Sequence, residues 1–198
     1  RVAAALEILR GARQPMLMAG TALKWSEGGA ALRSFAEATN IPVFTNGMGR
    51  GQLPMSHPQF FNRTRKDALD GADVVVLAGT PLDFRLKYGA SIPATAKVVQ
   101  LDLDETLIGQ NRPADVGLVG NLGANLTAML EGLTDGELDF SDWSATLRAK
   151  EDAAEAALTA RGVSRERILI ERFLTTPLSE AQLAAARALE KKAAGLVM

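Results

Sequence analysis

The sequence predicts an α/β protein: an open, mostly parallel sheet with helices on both faces, followed by a C-terminal helical appendage. Three observations carry this expectation. Short apolar runs alternate with helical patterns from Pro15 to Leu130, the order that builds parallel strands joined by crossover helices. The runs are apolar at nearly every position instead of every second one, as expected of strands covered on both faces. After Gly132 the chain becomes rich in Ala, Glu, Arg and Leu, and no strand pattern recurs.

Taken in order, Arg1 to Gly11 reads as an amphipathic helix carrying Glu7 and Arg10. Pro15 to Ala19 is a buried strand ending in Gly20. Ser26 is expected to cap the next helix, whose apolar positions Ala30, Leu32, Phe35 and Ala36 recur at helical spacing. Ile41 to Thr45 is a second strand, and it stops in the glycine-rich loop Asn46 to Gly51. A short helix covers Arg63 to Leu69. Asp73 to Ala78, β-branched and unbroken, is the clearest strand. Lys97 to Leu103 and Val116 to Val119 complete the set, and Leu122 to Leu130 is a helix. The appendage reads as helices near Asp142 to Ala160, Ser164 to Leu174 and Ser179 to Ala194. The expected division is therefore an α/β domain over residues 1–133 and a helical linker and tail over 134–198.

Composition narrows the function. The 198 residues carry a net charge of -1, with 47% hydrophobic and 23% charged residues. This is an ordinary globular balance. It offers neither a basic field for nucleic acid nor a polybasic membrane patch. With no cysteine in the chain, disulfides and thiolate chemistry are excluded, and a reducing cytoplasm is the expected location. The chain opens on Arg1 without an initiator Met, which suggests a piece of something longer. Its single histidine, His57, sits in the turn Ser56-His57-Pro58 and reads as a loop residue. No metal site and no catalytic constellation is expected. Trp25 and Trp143 read as packing residues, as does Met16-Leu17-Met18.

The residues that remain share one property: each follows the carboxyl end of an expected strand. They are Gly20 and Thr21, Thr45 and Asn46, Gly79 with Asp83 and Arg85, Asp102 and Leu103, and Asn121. In an open parallel sheet, ligands bind outside those strand ends. Glycines there admit a backbone close to a phosphate or a ring, and helix N-termini offer free N–H donors. An Asp at a strand end can accept ribose hydroxyls, and Arg85 can neutralise a phosphate. Each of these residues also has a purely structural use, in a turn, a cap or a surface ion pair. No G-x-G-x-x-G fingerprint is present.

The order of these segments resembles the central domain of thiamine-diphosphate-dependent enzymes. The stretches concerned are Pro15 to Gly20, Ile41 to Gly51, Ser56 to Pro58, Ala72 to Gly79, Leu82 to Arg85 with Tyr88-Gly89, and Val98 to Asp104. Leu82-Asp83-Phe84-Arg85 and the segment Arg63 to Leu69 resemble the acetolactate-synthase-like and 2-hydroxyacyl-CoA-lyase-like branch. The resemblance implies an open Rossmann-like sheet of the DHS-like NAD/FAD-binding type, set between a pyrimidine-binding and a diphosphate-binding domain. Those neighbours would hold thiamine diphosphate and magnesium, within a full enzyme that is a homo-oligomer. The central domain would bind FAD or an ADP moiety, or nothing. Carried over by position, the contacts would be Gly20, Thr21, Thr45, Asn46, Gly79, Asp83, Arg85, Asp102, Leu103 and Asn121. Two departures bear on the flavin. Gly20-Thr21-Ala22 stands where flavin-binding members often have three glycines, and the insertion before Asp73 is short. FAD, ADP, CoA and an empty site all stay open. The alternatives are a stand-alone nucleotide-binding module and a purely structural assembly domain.

Overall fold

In the computed structural model, which describes residues 1–163, a single six-stranded sheet is parallel throughout, in the order β3-β2-β1-β4-β5-β6. The elements are α1 (Val2–Arg10), β1 (Pro15–Ala19), α2 (Thr21–Trp25), α3 (Gly29–Thr39), β2 (Val43–Thr45), β3 (Phe60–Phe61), α4 (Arg65–Gly71), β4 (Val74–Ala78), β5 (Lys97–Asp102), β6 (Val116–Val119), α5 (Leu122–Glu131) and α6 (Ser141–Ala160). The registers run through the sheet, Leu17 against Val43 and Val76, Val76 against Val99, and Leu101 against Leu118.

β1 and β4 are buried at every position, because alternate side chains feed two cores. Leu17, Ala19, Val76, Ala78, Val99 and Leu101 pack under α1, α3 and α5. Met16, Met18, Phe44, Val75, Leu77 and Val98 pack under α4 and α6. This two-sided covering is why the strands read as unbroken apolar runs. Trp143 and Leu147 of α6 belong to the second core, and the Trp143 indole N–H donates to the Pro15 carbonyl at 3.1 Å. The front half of α6 is thus part of the packed body.

Several expectations need correction. Ser26 does not cap α3: the cap position is Gly28, and the Ser26 hydroxyl donates back to the Ala22 carbonyl at 3.0 Å. This closes the short helix α2, which sequence reading missed. Trp25 is not a packing residue, since it is 65% exposed, whereas Trp143 is buried. The second strand begins at Val43, because Pro42 has no N–H to give to the ladder. The two-residue edge strand β3 was also missed, being too short to show a period. The expected helices from Ser164 and Ser179 lie outside the described residues.

Candidate functional site

The strand order reverses between β1 and β4. The chain steps from β1 outward to β2 and β3, then returns across β1 to begin β4. At such a switch point the connections leave in opposite directions, and a crevice opens above the strand ends. One backbone hydrogen-bond belt crosses this edge. Asn46 N donates to Ala19 O, Gly20 N to Ala78 O, Gly79 N to Leu101 O and Gly120 N to Asp102 O, all at 2.8 to 2.9 Å. The floor is tight. A side chain on Gly20 would place its Cβ 2.1 Å from the Gly79 carbonyl oxygen and 2.5 Å from Thr80 Oγ1. Gly79 itself has φ +70°, so glycine is required there on conformational grounds as well.

Over this floor the structure brings together residues from three strand ends. Thr21 Oγ1 accepts the Met48 amide at 3.3 Å. Gly47 lies between Thr21 and Arg85: a Cβ on it would sit 2.7 Å from Thr21 Oγ1 and 3.7 Å from Arg85 Nη1. The Arg85 guanidinium is held from the other side, with Nε and Nη2 donating to the two carboxylate oxygens of Asp83. That bond holds the Asp83 carboxyl below the usual carboxylate range and raises Arg85 further. Asp83 also accepts the Arg85 amide at 2.9 Å, so it caps the turn that carries its partner. Nη1 is the edge directed toward Gly47. Asn46 Oδ1 accepts the Gly47 amide at 2.9 Å, while Asn46 Nδ2 is buried without a hydrogen-bond partner.

The other candidates are placed differently. Asp102 ends β5 and is 2% exposed; burial pushes its carboxyl up, and the backbone amides of Asp104 and Leu103 hold it back. Leu103 points outward and is 44% exposed. Thr45 ends β2 half-buried, in register with Ala19. Asn121 caps α5, its Oδ1 accepting the Ala124 amide at 2.9 Å and its Nδ2 reaching Ser26 O at 3.3 Å. Its side chain is thereby committed to joining the start of α5 to the end of α2. Thr80, which sequence reading did not single out, is fully buried and donates to the Met18 carbonyl at 3.0 Å. Its hydroxyl was invisible in sequence because its partner is a backbone carbonyl far along the chain.

Elsewhere the chemistry is sparse. His57 Nδ1 accepts the Gln59 amide at 3.2 Å, and Nε2 lies 3.4 Å from Glu37 Oε1, which fixes the turn before β3. Among the described residues no group of three or more His, Asp or Glu is placed to hold a metal ion, and no helix is long and apolar enough to cross a membrane. A recess of about 980 Å³ opens near the amino ends of β5 and β6, lined among others by Tyr88, Lys97 and Arg112, and holds none of the expected site residues. Arg112 is occupied there by the carbonyls of Ile92, Pro93 and Ala96.

A six-stranded parallel sheet whose strand order reverses between β1 and β4, with helices on both faces, defines a Rossmann-like α/β domain. The chain belongs to the family of the thiamine pyrophosphate enzyme central domain, whose model matches residues 2–129. It is 35% identical over 171 residues to a probable acetolactate synthase of Mycobacterium bovis, covering 86% of this chain and 30% of that protein. It is equally similar to the acetolactate synthase large subunit of Mycobacterium tuberculosis. Against 2-hydroxyacyl-CoA lyase 2 of Bos taurus it is 35% identical over 164 residues, covering 80% of this chain and 26% of the lyase. The chain thus spans roughly a third or less of the length of the relatives it matches.

Proposed function

We propose that this chain is the central domain of a thiamine-diphosphate-dependent carboligase or lyase of the acetolactate-synthase-like group. In this reading it holds an adenine nucleotide, FAD or an ADP moiety, in the crevice above β1 and β4, and catalyses nothing by itself. The full enzyme would be a cytoplasmic homo-oligomer. Thiamine diphosphate supplies an electron sink for making or breaking a carbon–carbon bond. Among the described residues no cluster of His, Asp or Glu fits its magnesium, so both are assigned in this reading to flanking pyrimidine- and diphosphate-binding domains. The names of the relatives, acetolactate synthase and 2-hydroxyacyl-CoA lyase, support the reaction class.

The observation that carries the nucleotide reading is the convergence of Thr21, Gly47 and Arg85 Nη1 above the Gly20–Gly79 contact. There a phosphate would find a cationic edge and a surface free of side chains. Asn46 Nδ2 is a buried donor without a partner, a state that costs about 1–3 kcal/mol and that a ligand acceptor would relieve. Asp102, at the next strand end, would accept from a ribose. The residues of this chain bind and orient; none is assigned a proton transfer.

Calorimetric titration with ADP, FAD, NAD and CoA tests the reading. Adenine nucleotide should bind, and Arg85→Ala should weaken it by about tenfold to a hundredfold, the scale of one charge-assisted hydrogen bond. No binding by any of the four would leave a structural assembly domain. The isolated chain should not turn over pyruvate or 2-hydroxyacyl-CoA with thiamine diphosphate and magnesium. Turnover of about 1 per second or more, the ordinary enzymatic range, would refute the non-catalytic assignment.

A further inference from the structure

Lys87 and Tyr88 carry the least favourable stretch of backbone among the described residues. Five of those residues other than glycine have positive φ, and only these two are neighbours: Lys87 at φ 49° and ψ 42°, Tyr88 at φ 54° and ψ 38°. The left-handed region is costly for any residue with a Cβ, and two bulky side chains in succession make an outlier. Neither side chain offsets that cost. Both are exposed, Tyr88 at 59%, and neither has a hydrogen-bond or ion-pair partner among the described residues.

What holds the pair lies outside it. Before it, Leu86 is buried in the second core, and Asn111 Nδ2 donates to Leu82 O at 3.0 Å. After it, Gly89 lies against Arg112, whose guanidinium is fixed by the carbonyls of Ile92, Pro93 and Ala96. Between these fixed ends Asp83 closes the turn. Its carbonyl accepts the amides of Leu86 at 3.0 Å and Tyr88 at 2.8 Å, and its carboxylate accepts the Arg85 amide and guanidinium. One residue therefore sets two things: the Arg85 side chain, whose Nη1 edge is directed toward Gly47 in the crevice, and the strained peptide that carries Tyr88 to the recess.

Strain of this kind persists only where the surroundings impose it, and it collects in switch segments. We infer that the turn Phe84–Gly89 is a strain-loaded latch. The Asp83–Arg85 pair holds Lys87 and Tyr88 left-handed; when the pair opens, the two residues relax, and Arg85 leaves Gly47 as Tyr88 leaves the recess. The crevice at the carboxyl ends of the strands and the recess near the amino ends of β5 and β6 are thereby joined by one two-state element. The coupling is reciprocal: whatever keeps Arg85 against Gly47 keeps Tyr88 in place, and whatever captures the relaxed Tyr88 withdraws the cationic edge from the crevice. The latch does not require that a nucleotide binds.

Tyr88 is the single tyrosine of the chain, so incorporation of fluorotyrosine gives one fluorine resonance, at the turn itself. The test compares the parent chain, Arg85→Gln, Arg85→Gln/Lys87→Gly and Arg85→Gln/Lys87→Ala, all without ligand and with matching circular dichroism. Opening the pair in Arg85→Gln should move the fluorine line and speed hydrogen exchange at the Tyr88 amide, normalised to the unstructured peptide, by at least about fivefold, the low end of the cost of a left-handed residue. Glycine removes that cost, so Lys87→Gly should bring the line back to the parent position and exchange to within about twofold, whereas Lys87→Ala should not. An unmoved line in Arg85→Gln overturns the inference, because the ion pair then holds nothing. A displaced line that Lys87→Gly fails to restore, or that Lys87→Ala restores as well, overturns it too, because strain is then not the driving force. A second measurement needs no Arg85 variant. In the parent background Lys87→Gly should have a higher urea midpoint than Lys87→Ala, the reverse of the ordinary order, and the ordinary order would show that no strain is stored. Since these chains carry no nucleotide, a calorimetric null with ADP counts against the nucleotide reading and not against the latch.

Discussion

Glu151 is the side chain whose loss should cost this domain most for its size. It is 5% exposed, and its two carboxylate oxygens gather four donors from one loop: the amides of Asn62, Arg63 and Thr64 at 2.9 to 3.1 Å and the Thr64 hydroxyl at 2.8 Å. These groups stand at the start of α4, whose cap residue Thr64 makes no side-chain cap bond of its own. A carboxylate from α6 therefore does the work of an N-cap, and it favours the positive end of the α4 dipole as well. Glu151→Ala strands those donors in a site with little room for water. Each charge-assisted bond contributes about 1.5–3 kcal/mol, but the four are not additive, since the loop can relax. Losing one partner of a buried charged cluster costs about 3–5 kcal/mol. Against a total stability of about 5–15 kcal/mol, that is a large fraction. Urea unfolding should show a lower midpoint at unchanged slope. Asp152→Ala, one position on and exposed, should move stability by less than about 0.5 kcal/mol. A Glu151→Ala loss as small as the Asp152 control would show that solvent satisfies these donors and that α6 is not fastened here.

Two further outcomes concern titration. Glu137 accepts the Thr134 amide and the Arg10 guanidinium, which lower its carboxyl to about 2. Its folded value lies below its unfolded one, so its contribution is complete above about pH 4.5 and is lost as pH falls toward 2; Glu137→Gln should lower stability at neutral pH and flatten the curve between about pH 4.5 and 2, so that variant and parent converge at the acid end. Asp102 has the opposite sign: burial raises its carboxyl, so its ionised form opposes folding and stability falls as pH rises through its folded value. Asp102→Asn should raise the melting temperature at neutral pH while weakening ADP binding; a lower melting temperature would mean that the carboxylate's bonds to the Leu103 and Asp104 amides outweigh its desolvation.

The parts of the fold that were legible in sequence are those with a long or unbroken signal. Met16 to Ala19 and Val74 to Ala78 are buried on both faces and carry no polar residue, so strand and sheet type follow together. Asn46, Asp83 and Asp104 each accept a backbone amide one or two residues on, a local use that the residue type itself announces. What stayed hidden depends on distant partners. Ser26 looked like a cap because the position fits, yet α2 takes its hydroxyl instead. Glu151 sits in a helix of surface-like charges, and nothing in its neighbourhood distinguishes it from Asp152 or Glu155, since its partners are the backbone of residues 62–64. Trp25 looked like core because large aromatics usually are; its exposure reflects an edge that the body of this domain does not cover.

The same distinction bears on what the crevice can hold. Its floor is backbone, fixed by the Gly20–Gly79 approach and by the belt of bonds from Asn46 to Gly120. Its charges do not add to a positive field. Arg85 is paired with Asp83, Asp104 is held ionised by Thr106, and Asp102 is pushed toward its neutral form. In the proposed site a phosphate would meet one guanidinium already paired with Asp83, so its binding would rest on the Nη1 edge and on backbone amides more than on net charge. A ligand whose phosphate charge is small beside its ribose and ring finds a side-chain-free surface at Gly47, the Nη1 edge of Arg85 and an unpaired amide at Asn46. Residue identities at the strand ends point to a ligand edge, but any selectivity of the proposed site would come from how those residues neutralise one another, and that pairing appears only once β1, β2 and β4 are set side by side.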